Sequence, residues 1–316
     1  MGIQRETEVL TVAAVRSGEA GQTEVLFHER ARVFKVVSTS AAGEKTARHV
    51  QGALEDGRPI RATIDLRSGT LVGSVDAKEQ ETEAFHRGRS LLEKPERPVK
   101  IDVHASDPTV FNFVDIHQKW KVFGLCTKVV PSYKKAKEIF DYCAALSCNL
   151  PGPYATPPCI PFQYVRDGCY ARAHQMRRII TTKYRYCCEK VFSFANSGND
   201  VLAVKADKWG GCCVQWWYHV APLIRVRFKI PILPKVSLAL AMVVDPGMFD
   251  KPVLLSTWLG AQQNTTCSSR AHVSKYTVQA GSAYAPANFE GTAFSTDPTY
   301  TQTEATLLAY AGLTTC

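Results

Sequence analysis

Along the first ninety positions, short apolar runs rich in β-branched residues alternate with polar, charge-rich stretches. Val9 to Val15, Glu24 to His28 and Val33 to Ser38 read as strands, whereas Glu44 to Leu54 has helical spacing and stops at Gly57. Ile60 to Leu66 and Thr70 to Val75, joined by Arg67-Ser-Gly, predict a hairpin, and Lys78 to Leu92 predicts a second, heavily charged helix. Further on, Ser132 caps a helix whose Ala136, Ile139, Phe140, Cys143 and Leu146 recur on one face. A proline-dense loop follows, from Asn149 to Pro158, and Asp167 is then expected to cap a helix carrying Ala171, Ala173, Met176, Ile179 and Ile180. Val214 to Ile224 and Val236 to Val244 read as strands. The pattern as a whole is α+β. Its break falls at Gln118 to Pro131, a basic stretch ending in proline, so the chain divides into residues 1–117, a linker over 118–131 and a second domain over 132–316.

Composition sharpens that division. Residues 1–130 hold 19 Lys plus Arg against 18 Asp plus Glu, and residues 131–316 hold 19 against 11, so nearly all of the net charge of +9 lies in the second domain. No run of five or six basic residues accompanies it, which argues against nucleic acid and for acidic protein surfaces as partners. No stretch approaches the roughly 20 apolar residues of a membrane span, and a monomer is expected. Of eleven cysteines, ten follow residue 140, a density that indicates disulfides formed in an oxidising compartment and hence export, although the first twenty residues do not read as a signal peptide.

Chemistry concentrates around Cys169. In the first turn of a helix a thiol faces unpaired backbone N–H groups and the positive end of the helix dipole, both of which favour thiolate, and the Cys169 N–H itself could serve as an oxyanion donor. Composition alone favours a disulfide for this cysteine, as for its neighbours. A thiol hydrolase also needs a base and a group that orients it. His174 lies five residues on, turned away around the helix, so His219, among the aromatics of its strand, is the better base. Asp245 emerges at a strand end where it could meet His219, or it could simply cap the turn before Pro246. The histidines before residue 130 carry no ligand spacing, and no metal or organic cofactor is called for. Adjacent pairs such as Cys187-Cys188 and Cys212-Cys213 suit tetrahedral zinc poorly, which weakens the alternative of a metal-binding or disulfide-stapled interaction module. Short separation across the proline loop favours Cys148 with Cys159, and a paired-strand reading favours Cys188 with Cys212.

Asp167-Gly-Cys-Tyr-Ala-Arg-Ala-His-Gln-Met-Arg, Cys188-Glu-Lys, Cys212-Cys-Val-Gln-Trp-Trp-Tyr-His-Val-Ala and Val244-Asp-Pro-Gly-Met-Phe resemble, in order and spacing, the bacterial protein-glutaminases over residues 131–316. The resemblance implies a papain/transglutaminase-like catalytic domain, a Cys169, His219 and Asp245 triad, and hydrolysis of protein-bound glutamine to glutamate through a thioester, without a cofactor. It further implies that residues 1–117 are an inhibitory pro-region removed by an activating protease. A transglutaminase or a cysteine protease would use the same triad and remains the alternative.

Overall fold

A computed structural model describes residues 5–19, 22–37, 39–91, 129–150, 159–230 and 233–316. The expected linker therefore lies, apart from its last three residues, outside the described residues, as does most of the proline loop.

The N-terminal segment begins with two strands, β1 (Arg5–Leu10) and β2 (Val12–Ser17), where a single run over Val9 to Val15 was expected. Thr11 breaks the run because its N–H turns aside to Glu29 Oε2 at 2.8 Å. β3 (Thr23–Phe27) and β4 (Arg30–Val36) follow, then α1 (Ala41–Asp56). Ser40 caps α1 by accepting from the Gly43 N–H, and Gly57, at φ 65°, closes it in the left-handed conformation that glycine adopts without strain. The hairpin of β5 (Ile60–Asp65) and β6 (Thr70–Asp76) forms as expected. The second helix, α2 (Glu79–Arg87), is shorter than predicted: Gly88 ends it, and Ser90–Leu91 forms an extended strand, β7. Val50 and Ala53 of α1 pack with Leu10, Phe27, Phe34, Ile60 and Ile64 in a second core that also takes in Tyr164, Tyr310 and Leu313 from later in the chain.

The second domain starts with α3 (Tyr133–Ala145), capped by Ser132 through the Lys135 N–H, and α4 (Cys169–Thr182). Residues Cys169 to Met176 of α4 are all buried, the profile of a central helix enclosed on every side. Four strands follow, β8 (Glu189–Phe194), β9 (Leu202–Lys205), β10 (Cys213–Trp216) and β11 (Tyr218–Ile230), then β12 (Leu233–Val243), β13 (Val253–Leu254) and α5 (Leu255–Gly260). The chain closes with β14 (Lys275–Gln279), β15 (Ala283–Pro286), β16 (Phe294–Thr296) and α6 (Thr301–Tyr310). An antiparallel sheet in the order β13-β12-β11-β8-β14 forms the centre, with α4 packed on β11.

The two parts are stitched together by pairing. Their shared sheet runs β1-β5-β6-β4-β10-β9, with Trp216 of β10 opposite Arg32 of β4, and β7 adds to β16. Two short edges of the second domain are thereby covered by the N-terminal segment, a standard way of completing an exposed strand.

Disulfide bonds join Cys148 to Cys159, Cys212 to Cys316 and Cys213 to Cys267, and Cys187 is also disulfide-bonded. Cys188 and Cys212 do not pair with one another. The premise of paired strands fails there, because β8, which follows Cys188, belongs to the central sheet, whereas β10, which follows Cys212, pairs with β9 and β4. Cys188 is a free buried thiol, like Cys143 and Cys169.

Candidate active site

Cys169 is the first residue of α4, so its backbone N–H is one of those that the helix geometry leaves without an intrahelical acceptor. The expected cap is displaced by one residue. Gly168 takes that position at φ 76°, where an added Cβ would strike the Tyr310 ring at 2.7 Å. Asp167 instead turns its carboxylate toward the N-terminal segment, accepting from the Ala31 N–H at 3.0 Å and from the Tyr310 hydroxyl at 2.8 Å.

His219 enters from β11, whose Ser193 partner on β8 anchors the strand from the other side. Its imidazole is clamped between two indoles: Trp216 stacks on it at 4.4 Å between centroids and 8° between planes, and Trp258 at 5.3 Å. His219 Nε2 bonds Asp245 Oδ2 at 2.9 Å, and Trp258 Nε1 donates to the same oxygen at 2.9 Å. Asp245 follows β12, held by the Val244 N–H donating to Pro222 O on β11. Burial opposes ionisation of Asp245, but the hydrogen bonds from His219 and Trp258 outweigh it and hold the carboxyl below its ordinary range. The other ring nitrogen, Nδ1, is buried without a partner among the described residues. The Val220 N–H, next to His219 on β11, and the Asp245 carboxylate both act on the Cys169 thiol, which places the sulfur in the neighbourhood of this pair.

The Cys169 thiol is 1% exposed. Burial pushes it up to about 12, against the pull of the nearby Arg172 guanidinium and of the Val220 N–H. The helix start was expected to favour thiolate; at this buried position desolvation wins instead.

His174 is placed elsewhere. Its Nδ1 accepts from the buried Lys190 ammonium at 2.7 Å and its Nε2 meets Asp297 O at 3.1 Å, so both nitrogens are engaged away from the thiol. Two side chains of the site carry no signal in the sequence. Trp258 lies on the six-residue α5 and reads simply as core, and Asp167 reads as a helix cap. Among the described residues no group of three His, Cys, Asp or Glu could hold a metal ion, and no helix is long and apolar enough to cross a membrane. Cys187, Cys212 and Cys213 are taken up in disulfides rather than free to chelate.

A thiol at the start of a buried helix, an imidazole on the adjoining strand and a carboxylate at the end of the next sit in a mixed α+β fold with a central antiparallel sheet. Comparison with known proteins narrows this. A family model described as Glutaminase matches residues 136–262. The NMR structure of protein-glutaminase from Chryseobacterium proteolyticum is 32% identical, with 60% of this chain and 91% of that one covered at a TM-score of 0.50. The crystal structure of pro-protein-glutaminase, 24% identical, aligns over 99% of this chain and 95% of that one at a TM-score of 0.69. No curated protein sequence matches the chain. The chain belongs to the protein-glutaminase family, and its fold is that of the pro-form.

Proposed function

We propose that this chain is an exported protein-glutamine deamidase, held latent by its N-terminal segment until a protease cuts within residues 118–131. The observation that carries the reading is the His219 imidazole, fixed by Asp245 through Nε2 with Nδ1 left unpaired in a centre shared with the Cys169 thiol. In the uncovered enzyme, Cys169 gives its proton to His219 and its sulfur attacks the side-chain carbonyl of a protein-bound glutamine. The Cys169 backbone N–H donates to the oxyanion. The C–N bond then breaks, and His219 returns the proton to the leaving nitrogen so that ammonia departs from a thioester. Next, water gives a proton to His219 while its oxygen attacks the thioester carbon, and the C–S bond breaks to leave glutamate and the thiol. Asp245 keeps the imidazole in one tautomer and supports its transient charge. Latency on this reading follows from the burial of Cys169 while Ala31 is bonded to Asp167, two residues away, which excludes substrate and keeps the thiol protonated.

Casein tests this. Ammonia release after limited proteolysis near residues 118–131, with neither cross-links nor new fragments of casein and with no release by Cys169→Ala, is the expected result. Polymer formation would assign the thioester to amine transfer instead, and full activity in the uncut chain would remove the latency claim.

A further inference from the structure

We propose that Asp167 forms a substrate subsite that selects a cationic side chain, arginine above all, on the residue immediately preceding the attacked glutamine. This rests on the deamidase reading and adds to it the sequence context of the substrate. Its basis is the way residues 30–32 lie across the site. Ala31 is wholly buried and belongs to the same continuous core as Cys169, Trp216 and Trp217. Its main chain is tied to both elements of the candidate triad: the N–H donates to Asp167, two residues before Cys169, and the carbonyl accepts from the Trp217 N–H at 3.0 Å, two residues before His219. An extended segment held to the edge of β10 in this manner has the conformation that a substrate backbone would adopt there, with Ala31 where the reactive residue would stand.

Arg30 then marks the neighbouring position. Its guanidinium meets Asp167 Oδ2 at 3.3 Å and the Tyr170 hydroxyl at 3.1 Å, and it also bonds the Tyr310 hydroxyl, Glu6 and Glu8. Glu6 and Glu8 leave with the N-terminal segment, whereas Asp167, Tyr170 and Tyr310 remain. What remains is a carboxylate, 1% exposed in the covered state, that has lost a guanidinium and the Ala31 N–H and keeps the Tyr310 hydroxyl. A guanidinium that refills this place restores the ion pair that Arg30 makes there through one of its terminal nitrogens and shields it again from water. Leucine at that position would leave the charge unpaired and glutamate would repel it. On the other side of Ala31 no equivalent subsite arises, since Arg32 bonds chiefly Leu66 O and Arg67 O of its own segment.

The test uses the full chain after limited proteolysis and three blocked tripeptides, Arg-Gln-Gly, Leu-Gln-Gly and Glu-Gln-Gly, with ammonia release as the readout. For the unsubstituted enzyme, kcat/KM for the arginine peptide should exceed that for the leucine peptide by about tenfold or more, the scale of one charge-assisted hydrogen bond in a dry site, and the glutamate peptide should be poorest. Asp167→Asn should bring the first ratio close to one. Tyr310→Phe, which removes a hydroxyl and no charge, should lower it several-fold. Ratios of substrates on one preparation are independent of how much enzyme is folded. Equal rates for the arginine and leucine peptides, or a preference untouched by both variants, would overturn the subsite while leaving deamidation intact. No ammonia from any peptide or from casein would instead remove the deamidase reading on which it stands.

Discussion

Glu24 offers the sharpest handle on how the N-terminal segment is held. It is 0% exposed, and its carboxylate takes a two-pronged bond from Arg270 of the second domain, at 2.6 and 3.1 Å, and a third from Arg16 at 2.9 Å. Arg16 in turn donates to Asp200 O across the same junction. Glu24→Gln keeps the shape and one acceptor oxygen but strips the charge between two guanidinium groups. Breaking a buried ion pair of this kind costs about 3 kcal/mol or somewhat more, because the remaining charges stay desolvated. Spread over the docking equilibrium, that free energy raises the fraction of undocked molecules roughly 100-fold. Alkylation of Cys169 in the uncut chain, followed by peptide mapping, reads this fraction without any assumption about activity, since the thiol is covered when the segment is docked. Expected is a rise in the Cys169 alkylation rate of about two orders of magnitude, with the rates at the deeply buried Cys143 and Cys188 much less changed. An unchanged Cys169 rate in Glu24→Gln would refute the argument that this ion pair holds the segment down.

Asp245→Asn should leave the fold standing yet lower deamidation about 10³- to 10⁴-fold, measured as kcat on casein with melting followed in parallel, because the imidazole loses the charge that orients it. Trp258→Phe removes a hydrogen bond from the same oxygen, with an expected loss of roughly tenfold or less and little change in KM. His174, whose proton affinity is pushed down to about 2 by burial and then by Lys190, should make the protein acid-sensitive. Its contribution is complete above about pH 6.5 and falls with pH below that value by up to about 1.4 kcal/mol per unit, so denaturant melts at pH 7 and pH 5 should differ more for the native chain than for His174→Gln. Cutting the Cys213–Cys267 link by a double Cys→Ser change frees a loop spanning 54 residues in sequence, for an expected cost of about 4 kcal/mol by the chain-entropy argument, visible as a lower melting temperature.

Local elements were readable wherever a chemical rule acts within a few residues. Gly57 and Ser132 stop or start helices by bonds to the adjacent turn, and Arg67-Ser-Gly closes its hairpin in the same local manner, whereas the start of α1 at Ala41, capped by Ser40, lies three residues before the expected Glu44. The shortened α2 and the strand β7 were not readable, since Ser90–Leu91 is extended through its pairing with β16, some two hundred residues away in the chain. Disulfide pairing divided along the same line. Cys148 and Cys159 are 11 residues apart and span one loop, whereas Cys212 bonds the last residue of the chain, a partner that only tertiary structure selects.

Within the site, the same distinction explains why Asp167 reads locally as a helix cap. An aspartate just ahead of a helix has a good local use, satisfying the free N–H groups of the first turn, and nothing nearby in sequence argues against it. The structure assigns that position to Gly168, whose positive φ lets the chain turn beside the Tyr310 ring, and this frees the carboxylate to face Ala31 and Arg30, more than 130 residues earlier. The displacement also bears on the thiol. A helix start favours thiolate where water reaches it, and Cys169 is buried in this structure. On the proposed reading, an N-terminal segment bound through a carboxylate two residues from the sulfur is placed to affect both access to the thiol and its proton affinity, which burial raises in the docked form.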